Sequence, residues 1–160
     1  MSEAAARAFE LFKSDVGADE GVGDWFEVTQ DQVGQFADVT HDHQFIHVDP
    51  ERAKDTPFGG TIAHGFLTLS MLTHLSSGAS AAPPDQSRFE GMLMGINYGF
   101  NKVRFVSPVK VGSRIRARGV TTNVDLKGNS VEVTRGYTVE IDGVEKPALV
   151  AEWLTRVVYG

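Results

Sequence analysis

The chain has 160 residues, of which 41% are hydrophobic and 22% charged, and its formal net charge is −6. These values predict one globular domain over residues 1–160 that buries a core without disulfides or structural metals. The chain has no cysteine, which excludes disulfides, thiolate nucleophiles and cysteine metal sites, and the negative charge disfavours non-specific nucleic-acid binding. Residues 1–16 lack the apolar stretch of a signal peptide, and no run approaches the roughly 20 apolar residues that span a bilayer. We therefore expect a cytoplasmic protein without a nucleic-acid or membrane partner.

The N-terminal part of the chain predicts two helices and a short strand. Residues 3–15 carry apolar side chains at rough helical spacing, within an N-terminal helical extension over residues 1–20. Residues 25–28 predict the strand. Thr29 follows as an N-cap, with Gln32 three residues on as in a capping box. The inward face of the helix that it opens consists of Val33, Phe36 and Ala37.

The next segments differ in pattern. Residues 38–60 lose periodicity and are rich in His, Asp, Pro and Gly, which is typical of a loop that carries function. Residues 62–76 have almost no polar face, which predicts a buried helix. A Ser/Ala/Pro-rich connection from Ser76 to Asp85 follows.

The remaining chain predicts strands joined by tight turns. The strand predictions are residues 92–106, 114–124, 131–141 and 148–158, with turns at Lys127-Gly128-Asn129 and Asp142-Gly143. A sheet curved around the apolar helix lets each bury its apolar surface. The pattern therefore predicts an α+β fold in which a curved antiparallel sheet wraps around a central buried helix. A β-barrel or sandwich with peripheral helices is the alternative.

The pair Asp42 and His47 is the first candidate for chemistry. The two residues are five apart in the turn-rich segment. A carboxylate and an imidazole that converge on one water can position it and exchange protons with it. The alternative is that Asp42 is a turn residue and His47 a solvated or hydrogen-bonded histidine.

The same segment offers a metal site as a rival interpretation. His41, His43 and His47 with Asp42 are ligand types found at zinc and iron sites. Their spacing matches no ligand signature, so we expect no metal and no other cofactor.

The second candidate lies where the loop meets the apolar helix, in Gly59-Gly60-Thr61-Ile62-Ala63-His64-Gly65-Phe66. The first turn of a helix leaves N–H groups unpaired, and Gly65 lets a ligand approach its own N–H closely. These are the properties of an oxyanion site for a thioester carbonyl. The alternative is that the glycines only allow the bend and tight packing of the helix.

Together these residues resemble the MaoC-like dehydratase family, and within it the NodN-like and (R)-specific enoyl-CoA hydratase branch. Residues 41–47, His-Asp-His-Gln-Phe-Ile-His, resemble the family motif Gly-Asp-x-Asn-Pro-Leu-His, and residues 62–65, Ile-Ala-His-Gly, match the later Ile-x-His-Gly. The resemblance continues through residues 97–105 and covers residues 24–158. It implies the hot-dog fold, usually as a dimer with substrate bound near the subunit junction.

The resemblance also implies roles for individual residues. Asp42 and His47 correspond to the catalytic dyad, and Gly65 to the glycine whose N–H polarises the thioester carbonyl. Thr73 falls where relatives place a hydroxyl residue that supports the dyad. The neighbours of Gly65 expected to contact substrate are Ala63, His64 and Phe66.

Three positions of the motif depart from the family pattern. The glycine before the aspartate is His41 here, the asparagine is Gln44, and the proline is Phe45. The spacing of the dyad is unchanged. The departures bear on substrate preference and efficiency.

Cationic and apolar side chains suggest further contacts to substrate. Lys102 and Arg104 follow the first long strand and are candidates for the phosphates of coenzyme A. Arg114, Arg116 and Arg118 project from one strand face, which favours a solvated outer surface over a phosphate site. Side chains that line an acyl tunnel or belong to the ordinary core are Phe58, Phe66, Met71, Met92 and Met94.

The resemblance favours a hydro-lyase that hydrates a trans-2-enoyl-thioester on coenzyme A or acyl carrier protein. Two other functions stay open, a hot-dog thioesterase and a non-catalytic acyl-thioester binder, because a fold alone does not fix function. In each case we expect a homodimer.

Overall fold

The computed structural model describes residues 2–77 and 85–160. The helices, in chain order, are α1 (Glu3–Lys13), α2 (Gln30–Thr40), α3 (Phe45–Val48), α4 (Pro50–Ala53), α5 (Gly65–Ser70) and α6 (Leu72–Leu75), followed by a 3-10 helix (Gln86–Phe89). The strands are β1 (Asp19–Val22), β2 (Phe26–Glu27), β3 (Met92–Phe105), β4 (Arg114–Lys127), β5 (Ser130–Ile141) and β6 (Val144–Tyr159). Among the described helices, none is long and apolar enough to cross a membrane.

The strands form one antiparallel sheet of six strands in the order β1-β4-β5-β6-β3, and β2 also pairs with β4. Lys127 pairs with Ser130 and Ile141 with Val144, so both predicted turns are confirmed as tight hairpins. Gly128 and Gly143 take the left-handed backbone conformation that these turns require, with φ of 63° and 72°.

The main core lies between the sheet and the helices α5 and α6. Leu72 and Leu75 of α6 pack with Ile115, Val139 and Leu149 of the sheet, and all five are almost fully buried. The sheet therefore holds a helical segment against one face, as the sequence predicts. A second apolar cluster lies under α1. There Ala5, Ala8 and Phe12 pack against the C-terminal ends of β4 and β6 and the N-terminal end of β5.

The prediction of one continuous buried helix over residues 62–76 is wrong in its bounds and in its burial. The chain is extended through Ile62, which bridges Lys110, and Ala63 donates its N–H to the carbonyl of Val109. Helix therefore begins only at Gly65, and it is interrupted at Met71. One face of α5 is open in this chain, where Phe66 is 68% exposed.

The loop prediction for residues 38–60 is also incomplete, because α2 runs to Thr40 and the short helices α3 and α4 follow. The capping box of Thr29 and Gln32 is confirmed at the start of α2. Strand β1 was not predicted, since its glycine at position 21 masks the alternation. Of the predicted connection from Ser76 to Asp85, residues 78–84 lie outside the described residues.

Candidate active site

Asp42 directly follows a left-handed turn that ends α2. His41 caps this helix with φ of 60° and ψ of 21°, and within the described ranges it is the one residue other than glycine with positive φ. The family's glycine falls at this position, which explains why a residue without a Cβ suits it. After the turn, the carboxylate of Asp42 is half exposed, and its Oδ1 lies 3.4 Å from the N–H of Gln44.

His47 lies in α3 and is held by three polar contacts. Its Nδ1 lies 2.7 Å from the carbonyl oxygen of Ile62, which can only accept, so Nδ1 carries the proton. The backbone N–H of His47 donates to the carbonyl of Gln44, and its own carbonyl accepts from the side-chain amide of Gln30. The unprotonated Nε2 is therefore the ring nitrogen that is left for chemistry.

The environment of His47 keeps its imidazole neutral. Burial lowers the pKa of His47 from its ordinary value of 6.5, and the neighbouring His64 acts in the same direction. The hydrogen bond to Ile62 and the charge of Asp42 oppose this shift without reversing it. At neutral pH the ring is consequently a proton acceptor.

Gln30 is a residue that the sequence analysis missed. Its amide nitrogen donates to the carbonyl of His47 at 2.8 Å, and its amide oxygen accepts from the hydroxyl of Thr61 at 2.6 Å. Ile62 also donates its backbone N–H to the carbonyl of Ile46. These contacts join the segment that carries His47 to the segment that leads into α5. No pattern in the sequence marks Gln30, because its role depends on a contact 17 residues away.

His64 lies immediately before Gly65 and completes a cluster with Asp42 and His47. Ligand-type atoms of these three residues all lie within 4.8 Å of one another. The ring of His64 is 3% exposed and stacks on that of His47, with centroids 3.8 Å apart. Its Nε2 lies 2.9 Å from the backbone oxygen of Asp42. His64, predicted as a substrate contact, is buried beside Asp42 and His47.

The residues that could bind a metal differ between the sequence prediction and the structure. His43 lies outside the cluster and pairs with Asp38 at 2.8 Å on the surface. Within residues 2–77 and 85–160, the one group of three or more His, Cys, Asp or Glu residues close enough to share an ion is Asp42, His47 and His64. Because Nε2 of His64 donates to a backbone carbonyl, the one lone pair that His64 could offer an ion is on its buried Nδ1.

Gly65 is the first residue of α5, next to the cluster in sequence. α5 has only six residues, so its dipole is small. What its N-terminus offers a ligand is chiefly its free N–H groups. The exposed ring of Phe66 meets that of Phe105 edge-on, with centroids 5.8 Å apart. Two exposed aromatic rings thus flank the backbone of Gly65.

The other predicted site residues lie at varied distances from the chemistry. Ala63 is buried, and its N–H is used by Val109. Thr73 is exposed and donates its hydroxyl to the carbonyl of Ser70. Lys102 and Arg104 lie exposed on β3, and no ion pair among the described residues includes either of them.

The arginine row of β4 is accounted for by cross-strand pairs. Arg114 pairs with Asp142, and Arg116 and Arg118 both pair with Glu140. The predicted solvated outer face is therefore a ladder of partly exposed ion pairs, which leaves these arginines occupied. Of the predicted tunnel or core residues, Met71 packs against the main core, whereas Phe66, Met92 and Met94 are exposed in this chain.

An antiparallel sheet holds a short apolar helix, as in the hot-dog fold, and a carboxylate and an imidazole lie at the entry to that helix. The model of the MaoC like domain matches residues 12–142, and the chain belongs to this family.

Two groups of relatives are similar over most of their length. The chain is 49% identical to 3-hydroxyacyl-thioester dehydratase Z of Mycobacterium tuberculosis over 143 residues, which cover 89% of this chain and 90% of the relative. It is 48% identical to nodulation protein N of Rhizobium leguminosarum bv. viciae over 146 residues, covering 90% and 87%.

Solved structures agree with this fold. A monoamine oxidase regulatory protein from Archaeoglobus fulgius superposes with a TM-score of 0.72 at 27% identity, covering 91% of each chain. The (R)-hydratase of A. caviae superposes with a TM-score of 0.65 at 23% identity, covering 88% of this chain and 94% of that one. The predicted family and the predicted hot-dog fold are both confirmed.

Proposed function

We propose that the protein is a hydro-lyase that reversibly hydrates a trans-2-enoyl-thioester to the (R)-3-hydroxyacyl-thioester. The observation that carries this proposal is the tautomer of His47. Its Nδ1 proton is committed to the carbonyl of Ile62, so the lone pair of Nε2 is free beside the carboxylate of Asp42. Two proton acceptors side by side are suited to hold and polarise one water.

The reaction balances without a cofactor. The water between Asp42 and His47 adds its oxygen to Cβ of the enoyl group and gives up one proton to the dyad. Negative charge moves onto the thioester oxygen, where the N–H of Gly65 stabilises it. The dyad then returns the proton to Cα, so one water is consumed and the dyad is regenerated.

Two features support an acyl-thioester as substrate. The relative from M. tuberculosis is named for dehydration of a 3-hydroxyacyl-thioester, which is the reverse of this reaction. Lys102 and Arg104 lie on the strand that also carries Phe105, the neighbour of Gly65. We propose that these cations meet the phosphates of coenzyme A or of an acyl carrier protein.

We also propose that the protein is a homodimer that pairs through β3. This strand lies at one edge of the sheet, and most of its residues are exposed. Exposed edges are normally paired, covered or charged. The large apolar side chains that β3 leaves exposed are Met92, Leu93, Met94, Ile96, Tyr98 and Phe105.

A panel of trans-2-enoyl-CoA substrates of increasing chain length tests the reaction. Hydration removes the absorbance of the enoyl-thioester without releasing thiol, and this is the expected result. Release of free thiol from saturated acyl-CoA would instead identify a thioesterase. Thermal stabilisation by enoyl-CoA without turnover would identify a binding protein.

A further inference from the structure

His64 is the most buried ionisable side chain at the site, and the mechanism above gives it no step. Its ring is 3% exposed and lies between those of Phe36 and His47, with centroids 5.1 Å and 3.8 Å away. The planes of His64 and His47 differ by 25°, so the two imidazoles are stacked. A ring enclosed in this way is shielded from solvent.

The hydrogen bonds of His64 fix its tautomer. Nε2 lies 2.9 Å from the backbone oxygen of Asp42, which only accepts, so Nε2 carries a proton. Nδ1 is buried and has no hydrogen-bond partner among the described residues. A proton on Nδ1 would be a buried N–H without an acceptor, which is unfavourable.

Resting on the proposed function, we propose that His64 is a positioning residue. Its Nε2–H ties down the backbone of Asp42 while its ring face orients the imidazole of His47, so that one side chain sets both halves of the dyad. Asp42 needs such a tether because it follows the left-handed turn at His41 and its carboxylate is half exposed. The imidazole of His47 needs the stacked ring because the single hydrogen bond from Nδ1 to Ile62 does not by itself fix the plane of the imidazole.

The stacked ring of His64 also matters for the electrostatics of the dyad. Burial is the largest cause that lowers the pKa of His47. The ring of His64 against His47 excludes water and preserves that burial, whereas a gap filled with water would reduce it.

Two substitutions separate the two contacts. His64→Gln keeps an N–H donor near the Asp42 carbonyl but removes the stacked ring. His64→Phe keeps a stacked ring but removes the donor. We expect each to lower kcat for crotonyl-CoA by about 10- to 100-fold, as for misplaced catalytic groups, with KM changed less than about threefold because neither contact is to substrate.

The pH dependence distinguishes positioning from a general loss of stability. In His64→Gln the acidic limb of kcat/KM, which reports His47, should move up towards pH 6.5, while in His64→Phe it should stay near the wild-type position. Val33→Ala is the matched control, because Val33 is fully buried in the main core, whose members include neither Asp42 nor His47. It should lower the melting temperature and leave both kcat and the limb unchanged.

Histidine-ring NMR of the wild-type protein gives a readout that needs neither activity nor a folded variant. We expect the proton of the His64 ring to lie on Nε2, and His47 to titrate below 6.5. A His64 ring whose proton lies on Nδ1 would overturn the assignment. Wild-type kcat in both variants would also overturn it. If the wild-type protein hydrates no enoyl-CoA but His47 titrates higher in His64→Gln, the proposed reaction fails and the positioning role stands.

Discussion

A Cβ placed on Gly65 would lie 3.0 Å from Cδ1 of Phe105 and 3.1 Å from two further atoms of the same ring. The backbone of Gly65 and the ring of Phe105 are therefore in contact at the entry to α5. This contact ties the strand β3 to the helix N-terminus where we propose that the thioester carbonyl binds. It also means that any side chain at position 65 displaces an aromatic ring of that entry.

Gly65→Ala should lower kcat by about 10- to 100-fold, because the methyl group crowds the carbonyl that approaches this N–H. Steady-state hydration of crotonyl-CoA measures the effect. Phe105→Leu and the double variant are the controls, since the smaller side chain relieves the clash with the ring. If the double variant recovers wild-type kcat, the loss arises from Phe105 and the oxyanion role of Gly65 is wrong.

Asp42→Asn and His47→Gln should each lower hydration by about 10²–10⁴-fold, because an amide neither accepts nor returns the proton at neutral pH. Both substitutions are close in size, so melting temperatures should change little. The double variant should lose far less than the product of the single losses, since both groups act on one water. His43→Gln is the matched control, because His43 pairs with Asp38 at the surface. Equal damage from His43→Gln, or near-normal activity of Asp42→Asn, would contradict the dyad.

Activity should survive exhaustive treatment with EDTA. The cluster of Asp42, His47 and His64 has the composition of a metal site, and each imidazole keeps one lone pair, at Nε2 of His47 and at the buried Nδ1 of His64. The proposed reaction needs no ion, because Asp42 and His47 activate the water unaided. Binding an ion through Nε2 of His64 would break the tether of Asp42. The measurement is kcat before and after chelation, with metal content checked by elemental analysis. Loss of activity that zinc or iron restores would favour the metal interpretation instead.

His41→Gly should raise the free energy of unfolding by about 1 kcal/mol, because glycine relieves the left-handed strain of a residue with a Cβ. For a chain of this size that corresponds to a rise of about 2–4 °C in Tm. His41→Ala is the control, since it removes the imidazole but keeps the Cβ at φ of 60°. Should alanine stabilise as much as glycine, the strain at this position is not the cause.

Replacing Met94 and Ile96 together by lysine should convert a dimer to a monomer. Both side chains are exposed on the edge strand β3, where charge opposes pairing of two copies. Size-exclusion chromatography with light scattering measures the mass at micromolar concentration. Val144→Lys is the control, because Val144 is also exposed but begins β6, whereas Met94 pairs with the other end of that strand. A wild-type protein that is monomeric under these conditions would refute the proposed pairing.

The elements that the sequence predicted well are those with local causes. The capping box of Thr29 and Gln32 and the glycine turns at 128 and 143 depend on residues within four positions of one another, and each is confirmed. The alternation of Ile115 and Ala117 with the arginines of β4 is likewise local, and both apolar residues are fully buried.

The predictions that failed depend on contacts between distant segments. Residues 62 and 63 look helical by composition, but pairing with residues 109 and 110 holds them extended. The stacking of His64 on His47 joins residues 17 positions apart, and no local pattern indicates it. The family resemblance indicated Asp42 and His47 as the candidate dyad, whereas the contacts of Gln30 and His64 with them became visible only once the chain was folded.

Helix α1 precedes the sheet in the chain, but most of its partners lie on β4, β5 and β6. Phe12 packs in the cluster that includes Val131, Val133 and Tyr159, and Asp15 pairs with Arg88 at 2.6 Å just before β3 begins. During synthesis, the apolar face of α1 therefore remains without its partners until β6 has emerged from the ribosome. We expect this helix to dock late. A nascent chain that stalls before β6 then exposes an apolar surface, to which we expect chaperones to bind.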